Sequence, residues 1–107
     1  MTRALLHAPA QARAGEVIEI RALIQHAMET GYRQGPAGQP LPRDLVRRVD
    51  CHFDGQLVFS AQLHAAIAAN PYLAFFMKAE RSGTISVTWR GDEGLERREV
   101  ASLTVLP

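Results

Sequence analysis

Apolar and polar residues alternate with a period of two along most of this chain, and that period is typical of β-strands rather than helices. One face of the segment 16–25 is entirely apolar and consists of Ile18, Ile20, Ala22 and Ile24. Glu19 and Arg21 point the opposite way, because successive side chains of a strand alternate between its two faces. The segment 16–25 is therefore predicted to be a strand with one buried face.

The same alternation returns after residue 45, where odd-numbered positions supply the apolar face. These positions are Val49, Cys51 and Phe53, then Leu57, Phe59, Ala61 and Leu63, then Leu73, Phe75, Met77 and Ala79, then Ile85, Val87 and Trp89, and finally Ala101, Leu103 and Val105. Asp54-Gly55 between two such runs predicts a two-residue hairpin, since a type I′ turn needs positive φ at both central residues. Ser82-Gly83 and the segment 91–94, Gly-Asp-Glu-Gly, separate the later strands.

With a short strand around Ala4 to His7, the pattern predicts about seven strands in an immunoglobulin-like antiparallel β-sandwich. The segment 34–43 has three prolines and two glycines, so it is predicted to be a loop. The alanine-rich segment 64–70 precedes Pro71 and is predicted to form one helical turn that links opposite sheets. A length of 107 residues suits one domain, 1–107.

Charge and hydropathy exclude several classes of partner. Twelve basic and eleven acidic residues give a net charge of +1 without a basic run, so we expect no nucleic-acid partner. Charges or amides interrupt every apolar stretch well before about twenty residues, so we expect a soluble chain without a membrane span. The start of the chain lacks the apolar core of a secretory signal, which taken alone favours the cytoplasm. The single cysteine leaves the compartment undecided.

Candidate catalytic and metal-binding residues are few. Cys51 lies in the middle of a predicted strand on its apolar face, where a thiol is desolvated and hard to reach. His52 follows directly and faces the other way, so it cannot act as the base of Cys51. The four histidines, His7, His26, His52 and His64, match no compact zinc spacing. We therefore expect no enzyme active site, no metal and no cofactor.

The segment 26–33, HAMETGYR, follows a strong predicted strand and is the candidate partner-binding site. Its candidate residues are His26, Met28, Glu29, Thr30, Tyr32 and Arg33. Exposed Met, Tyr and Arg are typical of protein interfaces. An alternative is a connector in which Met28 or Tyr32 caps the core of the sandwich. The residues by themselves leave both interpretations open.

Several blocks along the chain resemble the SoxZ family, the small subunit of the SoxYZ sulfur carrier of thiosulfate oxidation. They are GEVIEI at 15–20, HAMETGYR at 26–33, LPRD at 41–44, DGQLVFSAQLHAAIAANPY at 54–72, and SGT at 82–84 with Trp89. The blocks occur in the family's order and span nearly the whole chain. Two departures are Ala27 and Ala65, where the family more often has proline after a histidine.

The resemblance implies a noncatalytic subunit that forms a heterodimer with SoxY and meets other Sox enzymes transiently. In that family SoxY carries sulfur on a cysteine of a glycine-rich C-terminal arm, and this chain ends in SLTVLP instead. The resemblance also implies export to the periplasm together with SoxY, without a signal peptide of its own. Two alternatives stay open: a generic immunoglobulin-like protein-binding module, and a small thiol or metal enzyme that uses Cys51.

Overall fold

The computed structural model of this chain describes residues 3–29, 38–39, 43–63 and 69–107. Regular structure in these residues consists of β-strands. They are β1 (Arg3–His7), β2 (Gln11–Arg13), β3 (Glu16–Gln25), β4 (Val46–Phe53), β5 (Gln56–Gln62), β6 (Tyr72–Ala79), β7 (Gly83–Gly91) and β8 (Glu96–Leu106). The strand predicted at 16–25 is confirmed at both ends.

The strands form two sheets that pack as a sandwich. One has three strands in the order β1-β3-β6, and the other has five in the order β2-β8-β7-β4-β5. Neighbours are antiparallel except for β2 and β8, which run parallel. The predicted immunoglobulin-like sandwich is confirmed. It differs from the expectation by the three-residue strand β2, which is too short to give a periodic signal in the sequence.

The core lies between the two sheets and is built from the predicted apolar faces. Ile20 and Ile24 of β3 and Trp89 of β7 are completely buried. The rings of Phe59 on β5 and Phe75 on β6 stack across the two sheets, with centroids 4.4 Å apart. Burying one such large apolar side chain contributes about 1.5 to 3 kcal/mol to the free energy of unfolding. These contacts join the two sheets.

The hairpin predicted between β4 and β5 is confirmed. Asp54 has a φ of 50° and Gly55 a φ of 84°, as a two-residue loop of type I′ requires. The Asp54 carboxylate also accepts hydrogen bonds from the backbone N–H of Thr84 at 2.7 Å and from the Arg81 guanidinium at 2.6 Å. The turn is thus held against the start of β7.

The expectation that Leu57 faces the core is wrong, since half of the residue is exposed. The pairing of β4 with β5 shifts by one residue between Cys51 and His52, so that Leu57 lies opposite the outward-facing His52. A one-residue insertion in one strand moves the side chains beyond it to the other face. The bulge therefore places Leu57 on the outer side of the sheet.

The predicted loop 34–43 and helical turn 64–70 lie largely outside the described residues. The strand before the second segment, β5, belongs to the five-stranded sheet, whereas the strand after it, β6, belongs to the three-stranded sheet. The connection thus links opposite sheets, as the sequence predicted.

Candidate functional site

Three of the six predicted partner-binding residues, His26, Met28 and Glu29, lie within the described part of the chain, and Thr30, Tyr32 and Arg33 lie outside it. Met28 is 5% exposed and belongs to the core. Its backbone has a φ of 53°, and its Sδ accepts a hydrogen bond from the Val46 N–H at 3.3 Å. The expected exposure of Met28 is therefore wrong, and this side chain caps the core. Whether the segment contacts a partner stays a prediction.

His26 is also buried and stabilises this end of the sandwich. Its Nδ1 accepts a hydrogen bond from the Met28 N–H at 2.9 Å, and its Nε2 lies 3.6 Å from an oxygen of Asp44. The His26 N–H donates to the Asn70 side-chain oxygen at 2.9 Å, and the Asn70 N–H donates back to the His26 carbonyl at 2.7 Å. Glu29 and Asp44 exchange two backbone hydrogen bonds. His26 thus connects its own segment to Asp44 and to Asn70.

Cys51 is completely buried between the sheets. Desolvation raises the pKa of its thiol to about 11, so the reactive thiolate is suppressed at neutral pH. Val87 and Phe59 are its neighbours on the adjacent strands. The interpretation of Cys51 as a packed core residue is confirmed. In the ranges that the structure describes, no three His, Cys, Asp or Glu residues are grouped to hold a metal ion.

The outer face of the three-stranded sheet exposes large apolar side chains. We define the apolar face by Leu5, Val17, Leu23, Tyr72 and Phe76. Val17 is 62% exposed, Tyr72 is 59% exposed and Phe76 is 67% exposed. These residues alternate along their strands with core residues, so both faces of β3 and β6 carry apolar side chains. Several large apolar side chains exposed on one sheet face are typical of an interaction site, although Glu19 and Arg21 lie among them.

One row of the apolar face runs across all three strands. Leu5 of β1 pairs with Leu23 of β3, and Leu23 pairs with Tyr72 of β6. These three side chains line a shallow groove of about 460 Å³, to which His7 and Arg21 add polar atoms at one side. The groove is thus an apolar depression in an exposed sheet face, with hydrogen-bonding groups at its rim.

The charges around the apolar face are mainly basic. Arg21 Nε contacts Glu19 Oε1 at 2.7 Å, and both side chains are largely in solvent. Arg3 lies at one end of the face and Lys78 at the other, and neither forms an ion pair with another described residue. Since Glu19 compensates Arg21, the basic side chains of Arg3 and Lys78 are, among the described residues, the unpaired charges on the outer positions of these strands, and Glu80 follows Lys78 just beyond β6.

The outer face of the five-stranded sheet is different in kind. We define the polar face by Arg48, Asp50, Ser60, Thr88 and Arg90, in which Asp50 lies between Ser60 and Thr88 on the neighbouring strands. The Asp50 side chain is only 7% exposed. It accepts hydrogen bonds from Ser60 Oγ at 2.6 Å, from Arg48 Nε at 2.9 Å and from Arg90 Nη1 at 3.3 Å. The polar face therefore satisfies its own buried charge.

Opposing effects act on the ionisation of Asp50. Burial raises the pKa of this carboxyl, whereas the hydrogen bonds from Ser60 and Arg48 and the positive charges of Arg48 and Arg90 lower it. The hydrogen bonds and positive charges together have a larger effect than burial, so the pKa of Asp50 lies below its ordinary value. The carboxylate stays ionised at neutral pH and stabilises the folded chain.

Sequence reasoning missed the apolar face, although one signal was present. The segment 72–79, YLAFFMKA, is apolar at both odd and even positions over most of its length. In a strand with one solvated face, apolar and polar residues alternate. A strand that is apolar on both faces is typical of a strand that has other protein surface packed on both faces. Tyr72 and Phe76 at the even positions were therefore the signal for a second contact surface.

The family model described as Sulphur oxidation protein SoxZ matches residues 6–102 of the 107 in this chain. No curated protein sequence matches the chain. The described residues contain no helix that is long and apolar enough to cross a membrane.

Several solved structures share the fold. A superoxide reductase (neelaredoxin) from Ignicoccus hospitalis, solved as a single-residue variant, has a TM-score of 0.75 at 15% identity, over 96% of this chain and 79% of that chain. The sulfur carrier protein SoxY from Chlorobium limicola f. thiosulfatophilum has a TM-score of 0.69 at 12% identity, over 97% and 79%. The CARDB domain of the PF1109 protein from Pyrococcus furiosus has a TM-score of 0.64 at 12% identity, over 99% and 88%. At these identities the likeness is one of fold alone.

Proposed function

Because the chain belongs to the SoxZ family of sulphur oxidation proteins, we propose that it is the noncatalytic subunit of a SoxYZ sulfur carrier. In this role it binds and supports a SoxY chain, whose C-terminal cysteine carries the sulfur intermediates of thiosulfate oxidation. Other Sox enzymes meet the complex transiently. The observation that carries the proposal is the family match over residues 6–102, which covers all eight strands except part of the first and the end of the last.

Two features of the structure support a binding role. The apolar face places Tyr72, Phe76 and Val17 in solvent, where a partner would cover them. Cys51, the one cysteine of the chain, is buried with a raised pKa and is therefore a poor sulfur acceptor. A chain with these properties suits a subunit that supports a carrier better than one that forms a bond to sulfur itself. We also propose a periplasmic location, reached by export with SoxY.

Co-expression with the SoxY chain of the same organism tests the proposal. We expect a single 1:1 complex by size-exclusion chromatography with light scattering, since obligate interfaces bury at least about 1,200 to 2,000 Å² in total. Thiosulfate oxidation reconstituted from purified Sox enzymes should then depend on both chains. A chain that stays monomeric beside its SoxY would contradict the proposal and favour a generic immunoglobulin-like binding module.

A further inference from the structure

The apolar face leaves more aromatic surface in solvent than a domain without a binding partner usually does. Tyr72 and Phe76 alone leave on the order of 250 Å² in solvent, since an aromatic side chain presents about 200 Å². They lie on one strand with Ala74 between them, and Val17 and Leu23 lie on the adjacent strand. Tyr and Phe are enriched at the centres of protein interfaces. The exposed apolar residues of the face are therefore of the kinds that form interface cores, and the Glu19–Arg21 ion pair lies among them.

The size of the face suits the centre of a standard interface. Its three strands have five, ten and eight residues, and at about 3.3 Å per residue and about 4.8 Å between strands they give a planar footprint of roughly 360 Å². Each partner buries roughly 800 Å² in a stable complex, so the relief of the side chains and the adjoining turns would supply the rest. Such a face packs against another sheet at a separation of about 10 Å. SoxY of Chlorobium limicola shares the sandwich fold of this chain and therefore has sheet faces to offer.

The charges around the face favour a different chain over a second copy. Arg3 and Lys78, near the two ends of the face, have no ion-pair partner among the described residues, because Glu19, the acid on the same strands' outer positions, is occupied by Arg21. Two copies stacked face to face would bring these positive ends into one interface, where like charges disfavour binding. A partner with acidic groups around an apolar sheet face would instead be complementary.

We propose that the apolar face is the surface through which this chain binds SoxY, with Tyr72 and Phe76 as the anchors of the interface. The inference rests on the proposed function and adds to it the position of the partner, over the three-stranded sheet. On this inference, the polar face of the opposite sheet stays exposed to solvent when SoxY is bound. The segment that begins at His26, whose Met28 is buried, is not needed for this contact.

A pair of matched variants tests the assignment. The first is Tyr72→Ser with Phe76→Ser on the apolar face. The control is Leu57→Ser with Val100→Ser, which removes two apolar residues of similar exposure, 50% and 57%, from the outer side of the other sheet. We expect the first variant to bind the SoxY chain of the same organism at least about thirtyfold more weakly, and the control to stay within about twofold of the unsubstituted chain.

Thermal unfolding of each isolated variant separates binding from folding. If the serine variant is unfolded, Val17→Thr with Phe76→Thr keeps residues that favour strands, and it should still weaken binding about tenfold. Equal binding by the folded apolar-face variant and the control would overturn the inference and leave the proposed function intact. No complex with the unsubstituted chain would overturn both. Loss of self-association without loss of SoxY affinity would identify a second copy as the occupant and would overturn the inference.

Discussion

The outer faces of the two sheets are built from strands of the same kind, yet one leaves aromatic rings in solvent and the other buries a carboxylate. Each face carries an arginine and an acid two residues apart on one strand, Glu19 with Arg21 and Arg48 with Asp50. The side chain of Glu19 is 36% exposed, whereas that of Asp50 is 7% exposed. The same chemical pair is therefore solvated on the apolar face and structural on the polar face.

The difference follows from what surrounds each acid. Ser60 and Arg90 converge on Asp50 from the two neighbouring strands, so its lone pairs are satisfied without water. Phe76 and Ala74 lie opposite Glu19 and Arg21 on β6 and offer them no hydrogen bonds. A face that satisfies its own polar groups needs no partner, whereas an apolar face gains free energy when a partner covers it. This contrast predicts that substitutions on the polar face affect folding and that substitutions on the apolar face affect binding.

Asp50→Ala is expected to have the largest effect on folding. The substitution leaves the Ser60 hydroxyl and two arginines without their shared acceptor. The free energy of unfolding should therefore fall by about 3 kcal/mol. This value is at the lower end for breaking a buried ion pair, because both arginines are half exposed. Urea unfolding at pH 7 measures the loss. A loss as small as that of an exposed pair would remove the distinction between the two faces.

Met28→Ala is expected to rank next, with a loss of about 2 kcal/mol. The substitution empties a buried site next to Val46, although the residue lies in the segment first expected to contact a partner. Binding to SoxY, measured below the unfolding temperature, should stay within about twofold of the unsubstituted chain if the apolar face is the interface. Weaker binding at unchanged stability would instead assign the interface to this end of the sandwich.

The contribution of Asp50 should depend on pH. Its pKa is lower in the folded chain than the ordinary value of about 3.9 in the unfolded chain, so the unfolded chain binds more protons in acid. The stabilisation is complete above about pH 5 and is lost as the pH falls through the folded pKa. The difference in stability between the unsubstituted chain and Asp50→Asn should accordingly shrink below about pH 4. A difference that is constant from pH 7 to pH 3 would contradict an ionised Asp50.

Glu19→Gln is expected to have the smallest effect. Its partner Arg21 is more than half exposed, and solvent-exposed ion pairs contribute little to folding. The thermal midpoint should move by no more than about one degree, within the uncertainty of a calorimetric scan. A shift similar to that of Asp50→Asn would mean that the two acids play equal structural roles.

The sequence by itself determined seven of the eight strands, most of their buried faces and the hairpin at Asp54-Gly55, because alternation and turn preferences depend on residues that are close along the chain. The core-facing residues of β3 and β7 were predicted residue by residue. The family was also indicated by blocks of sequence in a fixed order. These properties need no knowledge of which strands become neighbours.

Only the tertiary structure decided the properties that depend on strand pairing. A bulge turned Leu57 outward, and Met28 closed the core although its segment resembles an exposed loop. Asp50 is satisfied by Arg90, forty residues away. The apolar face exists because β1, β3 and β6, distant along the chain, form one sheet and bring Leu5, Leu23 and Tyr72 into one row. Such contacts are set by long-range backbone hydrogen bonds, which a local pattern of residues does not specify.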